Sequence, residues 1–540
     1  MGVFDVLRVA LGVCVALFVV LSPAIRRHVR ARTYRRGRTR VATKKKAGAL
    51  KEGGLRWGNE YLPESAATSH FLAVGTTGAG KSLVQKRLMR GPLKRIAPGT
   101  DSRAIIFDAK NDVAAFLRHQ HVSCPVYTLN PFDASSEYPI AVAWDIAADI
   151  TSPARALNLA TSLIPGEKGG SNQYFTDAAR QVVAGVIESF IKHSGSRWTF
   201  SDLVYGCLSE ERIKELLSRD ESGRDVLSGF LGDEKTGYQV ATTVFSRMSY
   251  FKPVAALWQN AEQKLSIRRW LHSESVLLLG ANATTKTSLD AINEQVFRVF
   301  VEEVDVQSNS KTRRTWVWMD EARLSGSIVS KSDLLPFLAV KGRSRGVCLV
   351  VAFQDIEGLR EAAGERVANE LVAQLSNKAL LRAESDGTAT WSSKQIGQAE
   401  VLEHHTSDSS GFRQSVSAQR VVRDAVLPSE FFNIPPSSRE NGVTGYFLSP
   451  HFGAQKVTIP GHNIDPVVVP EHVEQLYAIT LQPESAQWLA NWSPNDRERL
   501  GLSLEVEIAG ESGEVHRRRK KAKIRVNHGF GKLQMPRANT

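Results

Sequence analysis

Cysteine is scarce in this 540-residue chain: Cys14, Cys124, Cys207 and Cys348 lie far apart, with no Cys-x-x-Cys pair and no Cys/His cluster at zinc-ligand spacing. A disulfide framework and a structural zinc are both excluded, and free thiols in a chain of this size fit a reducing cytoplasm, with Cys14 the exception. Acidic residues are missing from two flanking stretches. Arg26 to Lys46 holds eleven Lys or Arg and no acid, and His516 to Thr540 holds nine and again none. Residues 1–25 balance Asp5 against Arg8, so of a net charge of +13 the body from Ala47 to Val515 keeps −7. That body shows no obvious basic stripe, and an average over the whole chain does not identify a polyanion partner. What the chain does have is core. Its 42% hydrophobic residues exclude a mostly disordered chain, and its length at roughly 100 to 200 residues per domain allows about three to five folding units.

The longest charge-free run, Val9 to Ile25, together with Val3 to Leu7 approaches the roughly 20 residues that cross a bilayer as helix. A cleaved leader carries its positive charge before the apolar region, whereas here only Arg8 precedes the run and eleven basic residues follow it. The asymmetry predicts an uncleaved, single-pass anchor in the inner (cytoplasmic) membrane, with the N-terminus outside and the bulk of the chain in the cytoplasm. The basic stretch after it would lie against anionic headgroups.

The most specific motif is Gly75-Thr76-Thr77-Gly78-Ala79-Gly80-Lys81-Ser82, which satisfies G-x-x-x-x-G-K-[ST]. Phe71-Leu72-Ala73-Val74 reads as a buried strand entering it, and Leu83 to Met89 leaves it with helical spacing of apolar residues. Glycines let the loop turn its N–H groups onto a β-phosphate, and the following helix offers its positive end to the same anion. Lys81 is then expected to reach the β- and γ-phosphates and Ser82 to ligate Mg²⁺, so ATP and Mg²⁺ are the expected cofactors.

Such a site needs an acid at the end of a neighbouring buried strand. Thr315-Trp316-Val317-Trp318-Met319 ends in Asp320-Glu321, a pair in which Asp320 serves the metal and Glu321 polarises the attacking water. Ala104-Ile105-Ile106-Phe107 ends in Asp108, which fits equally a structural strand-end acid or, with Ala109 and Lys110, a contact behind the metal or between domains. A third apolar run, Gly346 to Phe353, ends at Gln354, placed to sense the γ-phosphate. Before it stand Lys341, Arg343 and Arg345. Arg343 is the first choice, and Arg345 the second, for an arginine that reaches a neighbouring subunit's site.

In order and spacing these motifs resemble the type IV secretion coupling proteins, within the wider FtsK/HerA group of hexameric DNA pumps. The resembling pieces run from His70 to Ser82, Ile105 to Lys110, Trp318 to Glu321, Lys341 to Gly346 and Ala352 to Gln354, within about residues 60 to 460. The resemblance matches Gln354 to the family's motif glutamine and Arg343 to the arginine proposed to act between subunits. It implies an α/β, RecA-like P-loop domain with a mainly parallel sheet, an inserted all-α domain and a membrane helix. It also implies a homo-hexamer, DNA as cargo (single-stranded, with a relaxase complex) and type IV secretion channel components as partners. The alternatives are an intracellular duplex DNA translocase and an ATP-switched membrane scaffold that recruits protein substrates.

The expected organisation is an anchor (1–25), a basic juxtamembrane linker (26–50), a nucleotide-binding domain in two parts (51–196 and 264–465), an all-α insertion (197–263) and a C-terminal extension (466–540). Departures from the family are a single membrane helix and Asn111-Asp112 where a Gly-acid pair is usual. The final tail packs seven positive charges into His516 to Arg525 and holds one aromatic residue, Phe530. It cannot form a core, and nucleic-acid backbone, membrane surface and plain solvation all remain open uses for it.

Overall fold

The computed structural model describes residues 35–37, 42–44, 54–110, 112–132, 138–166, 173–322, 327–330, 334–409, 413–461 and 488–503. The expected anchor, most of the basic linker and the basic tail lie outside these residues. Among the described residues no helix is long and apolar enough to cross a membrane.

The apolar runs become one sheet of eleven strands: β1 (Ala42–Lys44), β2 (Phe71–Val74), β3 (Ser102–Asp108), β4 (Val126–Thr128), β5 (Ile140–Ala141), β6 (Val276–Gly280), β7 (Arg314–Met319), β8 (Val347–Phe353), β9 (Asn377–Leu380), β10 (Val443–Ser449) and β11 (Gly453–Ile459). Their spatial order is β1-β11-β10-β9-β2-β8-β7-β3-β6-β4-β5. From β9 to β5 every pairing is parallel, and antiparallel pairs appear only where β10 joins β9 and β11. Parallel strands are covered on both faces, which is why the central ones carry runs such as Phe71–Val74, Ala104–Phe107 and Val347–Phe353. Alternate residues serve two cores. Leu72, Ile105, Phe107, Leu349 and Val351 pack into one, and Phe71, Ala104, Ile106, Cys348 and Val350 into the other.

Between β5 and β6 the chain leaves this sheet for a helical layer that starts well before the expected residue 197. Helices Pro153–Leu163, Gln173–Ser194, Phe200–Gly206, Glu210–Leu217, Glu221–Phe230, Glu234–Ser249 and Lys252–Gln259 follow one another. Gln173–Ser194 buries residues on most of its circumference, and a Cβ on its Gly185 would meet Leu217 at 2.9 Å and Val226 at 3.4 Å. A helix hydrophobic nearly all round is the centre of a bundle. Its apolar spacing alone does not say whether it covers the sheet or the insertion, and the expected boundary at 197 falls between helices that pack on one another.

The two sides of this excursion are stitched by Asp149, which has no exposed surface. Its carboxylate accepts hydrogen bonds from Trp144 Nε1 (2.7 Å), Ser266 Oγ (2.6 Å) and the backbone N–H groups of Ile267 (2.8 Å) and Arg268 (3.2 Å). Four donors to one buried acid hold the residues before and after the helices together. The end of the described chain returns to the same helices. Arg499 makes a forked bond to Asp202 (2.8 and 2.9 Å), Trp492 Nε1 donates to the same carboxylate (3.0 Å), and Leu500 is fully buried.

Candidate nucleotide site

The glycine-rich loop joins β2 to a helix, α1 (Lys81–Lys94), as its sequence predicts. Its backbone is fixed from three directions. Gly75 N–H donates to Phe353 O at the end of β8 (3.4 Å), Thr76 N–H donates to Arg382 O beyond β9 (2.8 Å), and the N–H and hydroxyl of Ser437 both donate to Gly78 O (2.9 and 2.7 Å). Gly80 has φ +97, and a Cβ there would lie 2.8 Å from both γ-carbons of Val443, so only glycine fits. The first donor within α1 is Val84 N–H, to Gly80 O (3.0 Å). The N–H groups of Lys81, Ser82 and Leu83 therefore have no acceptor inside the helix, which is what an anion seat requires.

The strand feeding this loop is anchored by His70. Its Nδ1 accepts the backbone N–H of Leu349 (3.1 Å) and its Nε2–H donates to Ala339 O (2.9 Å), an arrangement that only a neutral imidazole satisfies. Burial lowers its pKa from 6.5 to about 4 despite the opposing Ala339 bond. A depressed folded pKa means that the unfolded chain binds the proton more tightly, so stability is fully present above about pH 6.5 and is lost as pH falls toward 4. Relative to His70→Asn, the wild type is expected to lose about 3 kcal/mol over that window. Urea denaturation of both proteins at a series of pH values checks this, and parallel stability curves contradict it.

At the mouth of α1 the expected residues converge. Lys81, 5% exposed, donates from Nζ to Gly75 O (2.8 Å) and Thr76 O (3.2 Å) and lies 3.9 Å from Glu321 Oε1. Burial lowers its pKa, against the pull of Glu321 and Asp320. Ser82 Oγ–H donates to Asp320 Oδ2 (2.7 Å), while Asp320 Oδ1 is buried with no hydrogen-bond partner among the described residues. A serine hydroxyl, a carboxylate and an unsatisfied second carboxylate oxygen form a hard-oxygen donor set, and these residues fit a Mg²⁺ ion. Asp320 and Glu321 stand at the end of β7, as expected. One detail differs, because β7 is next but one to β2, with β8 between them.

Asp108 takes the structural of its two open roles. It is 5% exposed, and its oxygens accept the N–H groups of Asp112 (3.2 Å) and Val113 (2.9 Å), capping helix α2 (Val113–His119). Burial, then Asp112, raises its pKa to about 6. Lys110, weighed only as part of a contact segment, belongs to the site itself. Its Nζ lies 2.9 Å from Asp320 Oδ2, 3.1 Å from Ser82 Oγ and 3.5 Å from Glu321 Oε1. Ser437 and Arg382 were also invisible beforehand, since both act on the loop through peptide groups or a lone hydroxyl and carry no motif.

Gln354 follows Phe353, whose carbonyl holds Gly75, and its side chain is exposed beside the loop. The two arginines lie at the other end of β8, a strand length of roughly 20 Å away. Arg345 is engaged, with Asp305 at 3.0 Å and Gln307 O at 3.2 Å. Arg343 is exposed and has no hydrogen bond or ion pair from its side chain among the described residues. Neither arginine can serve the phosphate loop of its own chain.

The family model described as type IV secretion-system coupling protein DNA-binding domain matches residues 58–453. Coupling protein TraD of Escherichia coli (strain K12) is 22% identical over 441 residues, 78% of this chain and 58% of TraD, so the chain spans less than two thirds of that relative. Among solved structures, the unbound bacterial conjugative coupling protein TrwBdeltaN70 superposes with a TM-score of 0.58 at 19% identity, covering 76% of this chain and 89% of that one. TrwB in complex with the non-hydrolysable ATP analogue ADPNP gives 0.58 at 17% identity, with 77% and 92% covered. TrwB in complex with ADP and Mg²⁺ gives 0.55 at 18%, with 77% and 89% covered. At these identities the structures speak for the fold, a P-loop α/β domain with a mostly parallel sheet. The family match extends over most of the chain, and the chain belongs to the type IV secretion-system coupling protein family.

Proposed function

We propose that this chain is a membrane-anchored, ring-forming ATPase that couples ATP hydrolysis to moving DNA toward a conjugation or type IV secretion channel. The observation that carries the enzymatic part is the convergence of Lys81, Ser82, Asp320 and Glu321 at the N-terminus of α1, with Lys81 3.9 Å and Lys110 3.5 Å from Glu321. TrwB, of the same fold, has been solved with ADPNP and with ADP and Mg²⁺, which supports the choice of ligand.

In this reading the N–H groups of Lys81 and Ser82 seat the β-phosphate, and the Lys81 ammonium orients the γ-phosphate. Ser82 and Asp320 hold Mg²⁺, which when bound neutralises charge on the transferring phosphoryl group. Glu321 orients the attacking water and accepts its proton. Gln354, exposed at the end of β8, registers the loss of the γ-phosphate. Arg343 supports a ring, preferably a homo-hexamer, because its guanidinium, exposed and without a hydrogen bond or ion pair among the described residues, is a strand length from its own loop and free to reach a neighbour's site.

DNA as cargo rests on the family match, whose model is a DNA-binding domain. With a body charge of −7, the reading puts that contact on locally basic loops or on the tail. The last described residue, Ser503, is held through its carbonyl by Arg497 (2.7 Å). The reading predicts that single-stranded DNA raises ATP turnover of the full-length chain, more than duplex does. Truncation after Ser503 is expected to lower DNA affinity and flatten its dependence on salt, because fewer phosphates are neutralised. Anisotropy of labelled DNA across a salt series measures both. An unchanged salt slope removes the tail from the interface, and turnover indifferent to DNA favours the ATP-switched scaffold.

A further inference from the structure

From the contacts of Lys110 we propose that this residue is a built-in counter-ion: its ammonium occupies the cation position between Ser82 and Asp320 when no nucleotide is bound, and Mg²⁺ enters only with nucleotide, by displacing it. The inference rests on the Mg²⁺·ATP reading of the site.

The geometry is specific. An ammonium has three N–H donors, and Lys110 Nζ has three oxygens around it: Asp320 Oδ2 at 2.9 Å, Ser82 Oγ at 3.1 Å and Glu321 Oε1 at 3.5 Å. Ser82 and Asp320 are the residues that the sequence assigns to the metal. A lysine with 42% of its side chain exposed has water available, yet its charged end lies against two carboxylates whose side chains are 17% and 8% exposed. Without a cation there, Asp320 and Glu321 would face each other as like charges in a poorly hydrated cleft, with Lys81 alone on the other side. Lys110 compensates them and keeps the Ser82–Asp320 bond in place.

A single positive charge is also replaceable. Mg²⁺ arriving alone must displace an ammonium that already satisfies these acceptors, and it must shed tightly held water. Mg²⁺ arriving on a nucleotide brings phosphate oxygens that complete its coordination and add negative charge. Lys110, two residues beyond the end of β3 and 42% exposed, then has solvent to swing into. Metal occupancy is thereby tied to nucleotide occupancy. No proton changes hands in this exchange, so it does not depend on the titration of any group.

The test uses the full-length chain and Mg²⁺ alone, followed calorimetrically without nucleotide. Lys110→Met is expected to bind Mg²⁺ about tenfold more tightly than the wild type, since it removes a competing charge about 3 Å from the ligand oxygen. Lys110→Arg, which retains the charge, is expected to stay weak. Lys110→Met affinity equal to or below that of the wild type overturns the inference. Binding of fluorescent ADP with Mg²⁺, measured on the same samples, separates the two levels. If the wild type fails to bind Mg²⁺·ADP, the nucleotide reading itself falls. If it binds and the metal affinities do not differ, only the role of Lys110 falls.

Discussion

Glu321→Gln is expected to lower ATP turnover by about a thousandfold while leaving nucleotide affinity within about a factor of two. The carboxylate is 6% exposed, one residue beyond the acid bonded to Ser82, and a positive charge faces it from each side, Lys81 at 3.9 Å and Lys110 at 3.5 Å. Lys81, which stays in the loop when Lys110 is displaced, holds the carboxylate at the mouth of the loop, where a group that orients water and takes its proton must stand. The amide has the same shape and retains one acceptor oxygen but cannot accept the proton. Asp320 and Ser82 are untouched, so binding of the metal–nucleotide complex persists. Single-turnover hydrolysis and fluorescent-nucleotide binding, measured on one preparation, separate chemistry from binding. Loss of both together would assign Glu321 to binding.

Lys81→Ala has the other large effect, and it falls on both steps. Turnover is expected to drop by at least about a thousandfold and ATP affinity by about a hundredfold, because the group removed is a buried cation lying in the phosphate loop. The fold should survive. The carbonyls of Gly75 and Thr76 lose a donor at 2.8 and 3.2 Å, but Glu321 keeps Lys110 as its partner and is not left as an isolated buried charge. A melting temperature close to that of the wild type, together with lost nucleotide binding, is the expected pattern. Retained binding would show that Lys81 stays folded over its own loop.

The parts of the fold legible in the sequence were those written as unbroken apolar runs. Phe71 to Val74, Ala104 to Phe107, Thr315 to Met319 and Val347 to Phe353 lie side by side at the centre of the sheet because a strand buried on both faces admits nothing polar. Strand order was less visible. That β8 separates the loop strand from the Asp320 strand depends on how the crossovers pack, and no local pattern encodes it. Where the insertion begins was hard to read for a related reason, since Gln173–Ser194 has a helical period wherever it packs. In the site, the glycine-rich loop and the Asp-Glu pair were readable because their chemistry demands fixed residues at fixed spacing. Lys110 was not, because a lysine after a strand carries no signal until the fold sets it beside Asp320. His70 lies within the motif run His70 to Ser82, yet its work of joining β2 to β8 through a neutral ring depends on residues 269 and 279 positions away.

If hydrolysis at this loop moves DNA, the motion itself can be observed. The most direct measurement is the displacement of streptavidin from end-biotinylated single-stranded and duplex DNA by the full-length chain. ATP-dependent displacement by the wild type, absent with ADPNP and absent in Glu321→Gln, is the predicted result. ATP turnover of normal rate that displaces nothing from either substrate, and that DNA does not alter, would contradict it.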